Sequence, residues 1–95
     1  MICHIVLIKF NPNTPDEKKE VIFSLLKNLK KEIPGIKEWS TGKQLQKTDN
    51  NYDLAEVGSF ENLESLETFR QHPAHQKIRN MIRAVGSWTV IDYEY

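Results

Sequence analysis

Residues 2–10 read Ile-Cys-His-Ile-Val-Leu-Ile-Lys-Phe, a β-branched-rich run closed by the turn sequence Asn11-Pro12-Asn13, and they predict a strand that is largely apolar on both faces. Side chains alternate across a strand, so Ile5 and Leu7 share one face while His4, Val6, Ile8 and Phe10 share the other. Such a strand needs cover on two sides. With 95 residues the chain is expected to form one domain, residues 1–95, with one modest core. Its own helices can shield one face. The other, read as the face of His4, Val6, Ile8 and Phe10, is expected to bury itself against a second copy of the chain.

The remaining pattern completes that picture. Thr14-Pro15-Asp16-Glu17 reads as a helix start, with Thr14 as cap, Pro15 at the first helical position and Glu17 closing a capping box. Val21, Ile22, Leu25, Leu26, Leu29 and Ile33 follow at helical spacing, opposite Lys18, Lys19, Lys27, Lys30 and Lys31, which predicts an amphipathic helix from 15 to about 32. Pro34-Gly35 ends it. A second strand over 36–43 contains Trp39, a polar turn covers 45–51, and a third strand over 52–60 places Leu54, Glu56 and Gly58 on one face with Ala55 and Val57 on the other. Asn62 is positioned to cap a second helix through Leu66 and Phe69, which must break or kink at Pro73. A helical stretch with Ala74, Ile78, Met81, Ile82 and Val85 on one face comes next, and residues 88–95 form a fourth strand. The order β-α-β-β-α-β is the ferredoxin-like α+β arrangement, a four-stranded antiparallel sheet with helices on one face.

Composition removes several classes of function. Thirteen basic and thirteen acidic residues cancel, so no general field draws the chain to nucleic acid or to an anionic membrane. The lysines at 27, 30, 31, 37 and 43 read as a solvated face. No stretch approaches a membrane span, and Met1 to Phe10 lacks the features of a secretory signal. Cys3 is the single cysteine, which allows neither an internal disulfide nor a thiolate zinc cluster and fits a cytoplasmic setting. Gly35, Gly42, Gly58 and Gly86 are isolated and fit no phosphate-cradling loop, so neither a nucleotide nor another cofactor is expected.

Chemistry therefore concentrates on the three histidines, His4, His72 and His75, whose rings can exchange protons near neutral pH. Histidines three apart in His72-Pro73-Ala74-His75 can share a metal only if the proline linkage turns both rings one way, and no metal is expected. No nucleophile elbow is present. Cys3 and His4 are neighbours on a strand and so project to opposite faces. Trp39 and Trp88 read as core or interface anchors, with either also able to line a pocket.

The run 1–10, Ile33-Pro34-Gly35-Ile36 with Gly42 after it, Phe60 closing the third strand, His72-Pro73-Ala74-His75, and Asp92-Tyr93 together resemble the stress-responsive A/B barrel (Dabb) family, in order and over essentially the whole chain. The resemblance implies a dimeric α+β barrel in which two ferredoxin-like units pack sheet to sheet. The family is functionally mixed. One plant member is a cofactor-free polyketide cyclase, whose cavity holds histidines at the positions of His4 and His75, the latter as base. Phe69 stands where that cyclase has a tyrosine, and Leu54 where it has a histidine.

The site that follows has His75 as general base, Asp92 holding its other ring nitrogen, and His4 donating to a substrate carbonyl, with Val6, Leu54, Phe69 and His72 around the ligand. The resulting expectation is a cytoplasmic homodimer that binds a small hydrophobic or carbonyl-bearing molecule. The alternatives are a cofactor-free cyclase, isomerase, lyase or monooxygenase, and a non-catalytic oligomeric stress protein whose cavity is filled by side chains.

Overall fold

A computed structural model describes residues 1–95. Its elements are β1 (Ile2–Phe10), α1 (Asp16–Glu32), β2 (Ile36–Lys43), β3 (Leu54–Phe60), α2 (Leu63–Gln71), α3 (Pro73–Val85) and β4 (Gly86–Glu94). The strands form one antiparallel sheet in the order β2-β3-β1-β4, with β1 paired on both sides. This is the ferredoxin-like arrangement, with the helices on one face. The expected kink at Pro73 is a complete break. His72 adopts an extended conformation, its ring accepts the Ala74 N–H at 3.1 Å, and Pro73 opens a new helix, where its missing amide costs nothing.

Local chemistry explains most boundaries. Asp16 and Glu17 lie in the positive first turn of α1 and Lys30 and Lys31 in its negative last turn. The capping box at Thr14 does not form. The Thr14 hydroxyl instead donates to the Asn11 and Val85 carbonyls, at 2.8 and 3.1 Å, tying the β1–α1 turn to the end of α3. Gly35 turns the chain into β2 at φ 94°, a conformation that favours glycine. β3 begins at Leu54 rather than Tyr52, while β4 begins at Gly86, two residues before the expected start. At Gly86 the backbone passes so close to β1 that a Cβ would stand 2.2 Å from the Lys9 carbonyl oxygen.

The helices cover the face of β1 opposite to the one expected. Ile2, His4, Val6, Ile8 and Phe10 are buried beneath α1, α2 and α3, in a core with Leu26, Leu29, Phe60, Phe69 and Ile78. The uncovered face carries Ile5 and Leu7 with Ala55 and Val57 of β3 and Ile91 and Tyr93 of β4. The physical reason lies in the flanking strands. Leu54, Phe60 and Trp88 bring large apolar groups to the His4 side, enough to seat three helices, and the Ile5 side is flatter. Val57, Ile91 and Tyr93 remain exposed there, Ile91 by 59%. Trp39 packs on the helix side, its indole N–H donating to the Leu26 carbonyl at 2.9 Å, so it anchors α1 to the sheet.

Candidate functional site

Because β1 and β4 run antiparallel with His4 opposite Asp92, both side chains emerge on the helix side of the sheet. The His4 Nδ1–H donates to Asp92 Oδ1 at 2.5 Å. On the other side of the ring, Glu56 of β3 brings Oε1 to 3.5 Å from Nε2, an ion-pair distance that leaves Nε2 without a hydrogen bond. His4 and Glu56 are each 3% exposed. Burial alone would push the His4 pKa down, but Glu56 and Asp92 outweigh it and hold the ring above its ordinary value. The two flanking carboxylates thus favour the charged form of the His4 ring. Arg70 of α2 pairs with the outer oxygen of Asp92, closing a chain of charges from Glu56 to the surface.

His75, in the first turn of α3, is the opposite case. Its Nδ1 lies 3.1 Å from the Arg70 carbonyl oxygen, which can only accept, so Nδ1 carries the proton and Nε2 the lone pair. Burial is the main cause that pushes its pKa below the ordinary value, and the charges of His4 and Arg79 push the same way. His75 is a neutral base with a fixed tautomer. The group that fixes it is a backbone carbonyl. Asp92, expected in that role, is instead engaged by His4 and Arg70.

Between sheet and helices lies a cavity of about 330 Å³. Half of its lining is apolar, with Val6, Leu26, Ile78, Ile82, Trp88 and Val90; the other half gathers His4, Glu56, Asp92, His75, Arg70 and Arg79. The space is not filled by side chains. Of the residues read from the sequence, His4, Val6, His75 and Asp92 line it. Phe69 is fully buried behind it, with ring centres 5.6 Å from His4 and 4.5 Å from His75, and so positions both imidazoles instead of touching the cavity. Leu54 lies deeper in the core, and the ring of His72 caps α3 away from the cavity. His72 and His75 do not converge on a shared ligand position, and no group of three histidine, cysteine, aspartate or glutamate side chains is arranged to hold a metal.

Glu56, Arg70 and Arg79 are missing from the sequence reading. Only Glu56 left a trace there, as an acid on the strand face shared with Leu54 and Gly58. The two arginines sit on helix faces where charge is ordinary. Trp88, read as a core or interface anchor, lines the cavity beneath Arg79 and Arg83, whose guanidinium carbons lie 5.7 and 5.5 Å from its ring centre.

The fold and sequence have clear relatives. Olivetolic acid cyclase of Cannabis sativa is 30% identical over 84 residues, covering 85% of this chain and 82% of that one. A dimeric ferredoxin-like protein of unknown function from Thermobifida fusca superposes with a TM-score of 0.87 at 23% identity, over 99% of this chain and 90% of that one. A hydroxynitrile lyase from Passiflora edulis superposes with a TM-score of 0.81 at 20% identity, over 97% of this chain and 90% of that one. At such identities the two structures speak for the fold. The profile of the stress responsive A/B barrel domain matches residues 2–95. This chain belongs to the stress responsive A/B barrel domain family.

Proposed function

We propose that the protein is a cytoplasmic homodimer whose cavities each bind a small, partly apolar carbonyl compound and move a proton on it. The observation that carries this reading is one cavity holding two histidines with opposite assignments. His75 offers a lone pair on Nε2, fixed by the bond from Nδ1 to the Arg70 carbonyl. His4, whose charged form two carboxylates favour, has an Nε2 with no hydrogen-bond partner. An acid and a base kept apart in this way are what proton transfer beside a carbonyl requires: His75 takes a proton from carbon while His4 donates a hydrogen bond to the oxygen that gains charge. The relationship to olivetolic acid cyclase supports an enzymatic role of this kind. Dimerisation through the sheet face of Ile5, Leu7, Val57 and Ile91 is supported by the dimeric relatives and by the apolar character of that face.

Proton abstraction can be tested without knowing the natural substrate. Phenylacetone incubated with the protein in deuterium oxide should lose its α-protons, read by proton NMR, faster than in buffer. His75→Ala should abolish the acceleration. Exchange at the wild-type rate in that variant removes His75 as base. Binding seen by thermal shift with no exchange for any ketone of a panel favours a second reading, a binding module without turnover, for which the same cavity is the supporting observation.

A further inference from the structure

One charge at the cavity has no partner. Arg70 and Arg79 line it together with His4 and the carboxylates of Glu56 and Asp92. Both carboxylates are already engaged, since His4 lies between them and Arg70 takes the outer oxygen of Asp92. Arg70 has a further partner in Glu67, at 3.5 Å. Arg79 has none: no carboxylate oxygen lies within 4.0 Å of its guanidinium.

Arg79 is also placed rather than loose. It is half-buried on α3, its guanidinium carbon sits 5.7 Å from the centre of the Trp88 ring, and both residues line the cavity. Stacking on an indole holds a guanidinium in one plane and leaves its N–H edge free to take a carboxylate in a two-pronged contact. His75 lies one helical turn before Arg79 on α3 and lines the same cavity, so an anion seated on Arg79 lies close to the imidazole. Ile78 and Ile82 on the same helix and Val6 on the sheet also line the cavity and offer their surface to an apolar body.

We propose that the cavity takes a small monocarboxylate, with its carboxylate on Arg79 above Trp88 and its apolar part against Val6, Ile78 and Ile82. The inference rests on the reading of this cavity as a ligand site and narrows its ligand from any small carbonyl compound to an acid. Such a ligand supplies the carboxylate that Arg79 lacks and the apolar surface together, which neither a neutral ketone nor an inorganic anion does.

The experiment compares matched probes that differ only in charge: 3-phenylpropanoate against 3-phenylpropanamide, and hexanoate against hexanamide. Affinities are read on the intact protein by titration of the His4 and His75 ring resonances at low salt. Each acid is expected to bind at least about tenfold more tightly than its amide and to move both rings. Arg79→Gln should erase that preference while leaving the melting temperature unchanged, and Arg79→Lys, which keeps the charge but not the two-pronged contact, should keep only part of it. Amides that bind as tightly as the acids overturn the anion assignment and leave the cavity reading intact. A preference that survives in Arg79→Gln overturns the role of Arg79. Acids that bind without moving either ring sit elsewhere and overturn the site. If neither acid nor amide binds, the inference falls together with the cavity reading, unless phenylacetone still exchanges its protons, in which case the inference alone falls.

Discussion

His4 and Asp92 stand opposite each other across the β1–β4 ladder and meet through a 2.5 Å hydrogen bond, so the register of the sheet supplies one of the two carboxylates that favour the charged ring. A one-residue slip of β4 would turn Asp92 to the open face and leave a buried imidazole with Glu56 as its only acid. The reach of Asp92 to Arg70 then links that buried charge to solvent.

The two cavity histidines should titrate on opposite sides of 6.5, the ordinary value, with His4 above and His75 below it. Ring resonances followed by NMR check this, and a common midpoint for both would contradict the site. The stability consequences also have opposite signs. His4, raised in the folded state, contributes stability that is complete below 6.5 and is lost as pH rises through its folded value. His75, lowered, costs nothing above 6.5 and destabilises as pH falls from there through its folded value. Urea denaturation from acid to alkaline pH should lose the alkaline fall in His4→Gln and the acid fall in His75→Gln. Glu56→Gln should lower the His4 midpoint without moving that of His75 above 6.5.

Phe69 is fully buried against both cavity histidines, Phe60 and Trp39. Phe69→Ala should cost about 4 kcal/mol, as expected for emptying a ring-sized space in a packed core. The His4 and His75 midpoints should move in the same variant, because the ring that orients both is gone. Chemical denaturation and NMR titration read the two effects separately.

Gly86 has no room for a methyl group, since the obstacle 2.2 Å away is the backbone carbonyl of Lys9, not a flexible side chain. Gly86→Ala should therefore destabilise by about 3 kcal/mol or part β4 from the end of β1. Gly42→Ala, whose new methyl meets nothing within 4 Å, should stay within about 1 kcal/mol of wild type. Thermal denaturation of the two variants side by side checks the contrast.

Ile91 projects from the edge strand β4 on the uncovered sheet face, beside Ile5, its partner in the ladder. Ile91→Asp should convert the dimer to a monomer at micromolar concentration, because an apolar contact between two sheets does not tolerate an unpaired carboxylate. Sedimentation velocity reads the change directly. A wild-type chain that sediments as an 11.1 kDa monomer would overturn the assembly itself.

The sequence by itself determined the elements and their order. The helical stripe from Ile22 to Ile33, the β-branched run at β1 and the two signals of Pro34-Gly35 and Pro73 are local patterns, and local backbone physics is enough to read them. Its two-faced first strand also required a second layer of cover. The tertiary structure decided which face received the helices, because that depends on the summed bulk of Leu54, Phe60 and Trp88 on neighbouring strands, and no single strand carries that information. It decided the partner of Asp92 as well, because register places residue 92 against residue 4, and long-range pairing leaves no mark on local periodicity. Glu56, Arg70 and Arg79 each read as an ordinary charge in the sequence. They become a site only when β3, α2 and α3 bring them around one cavity.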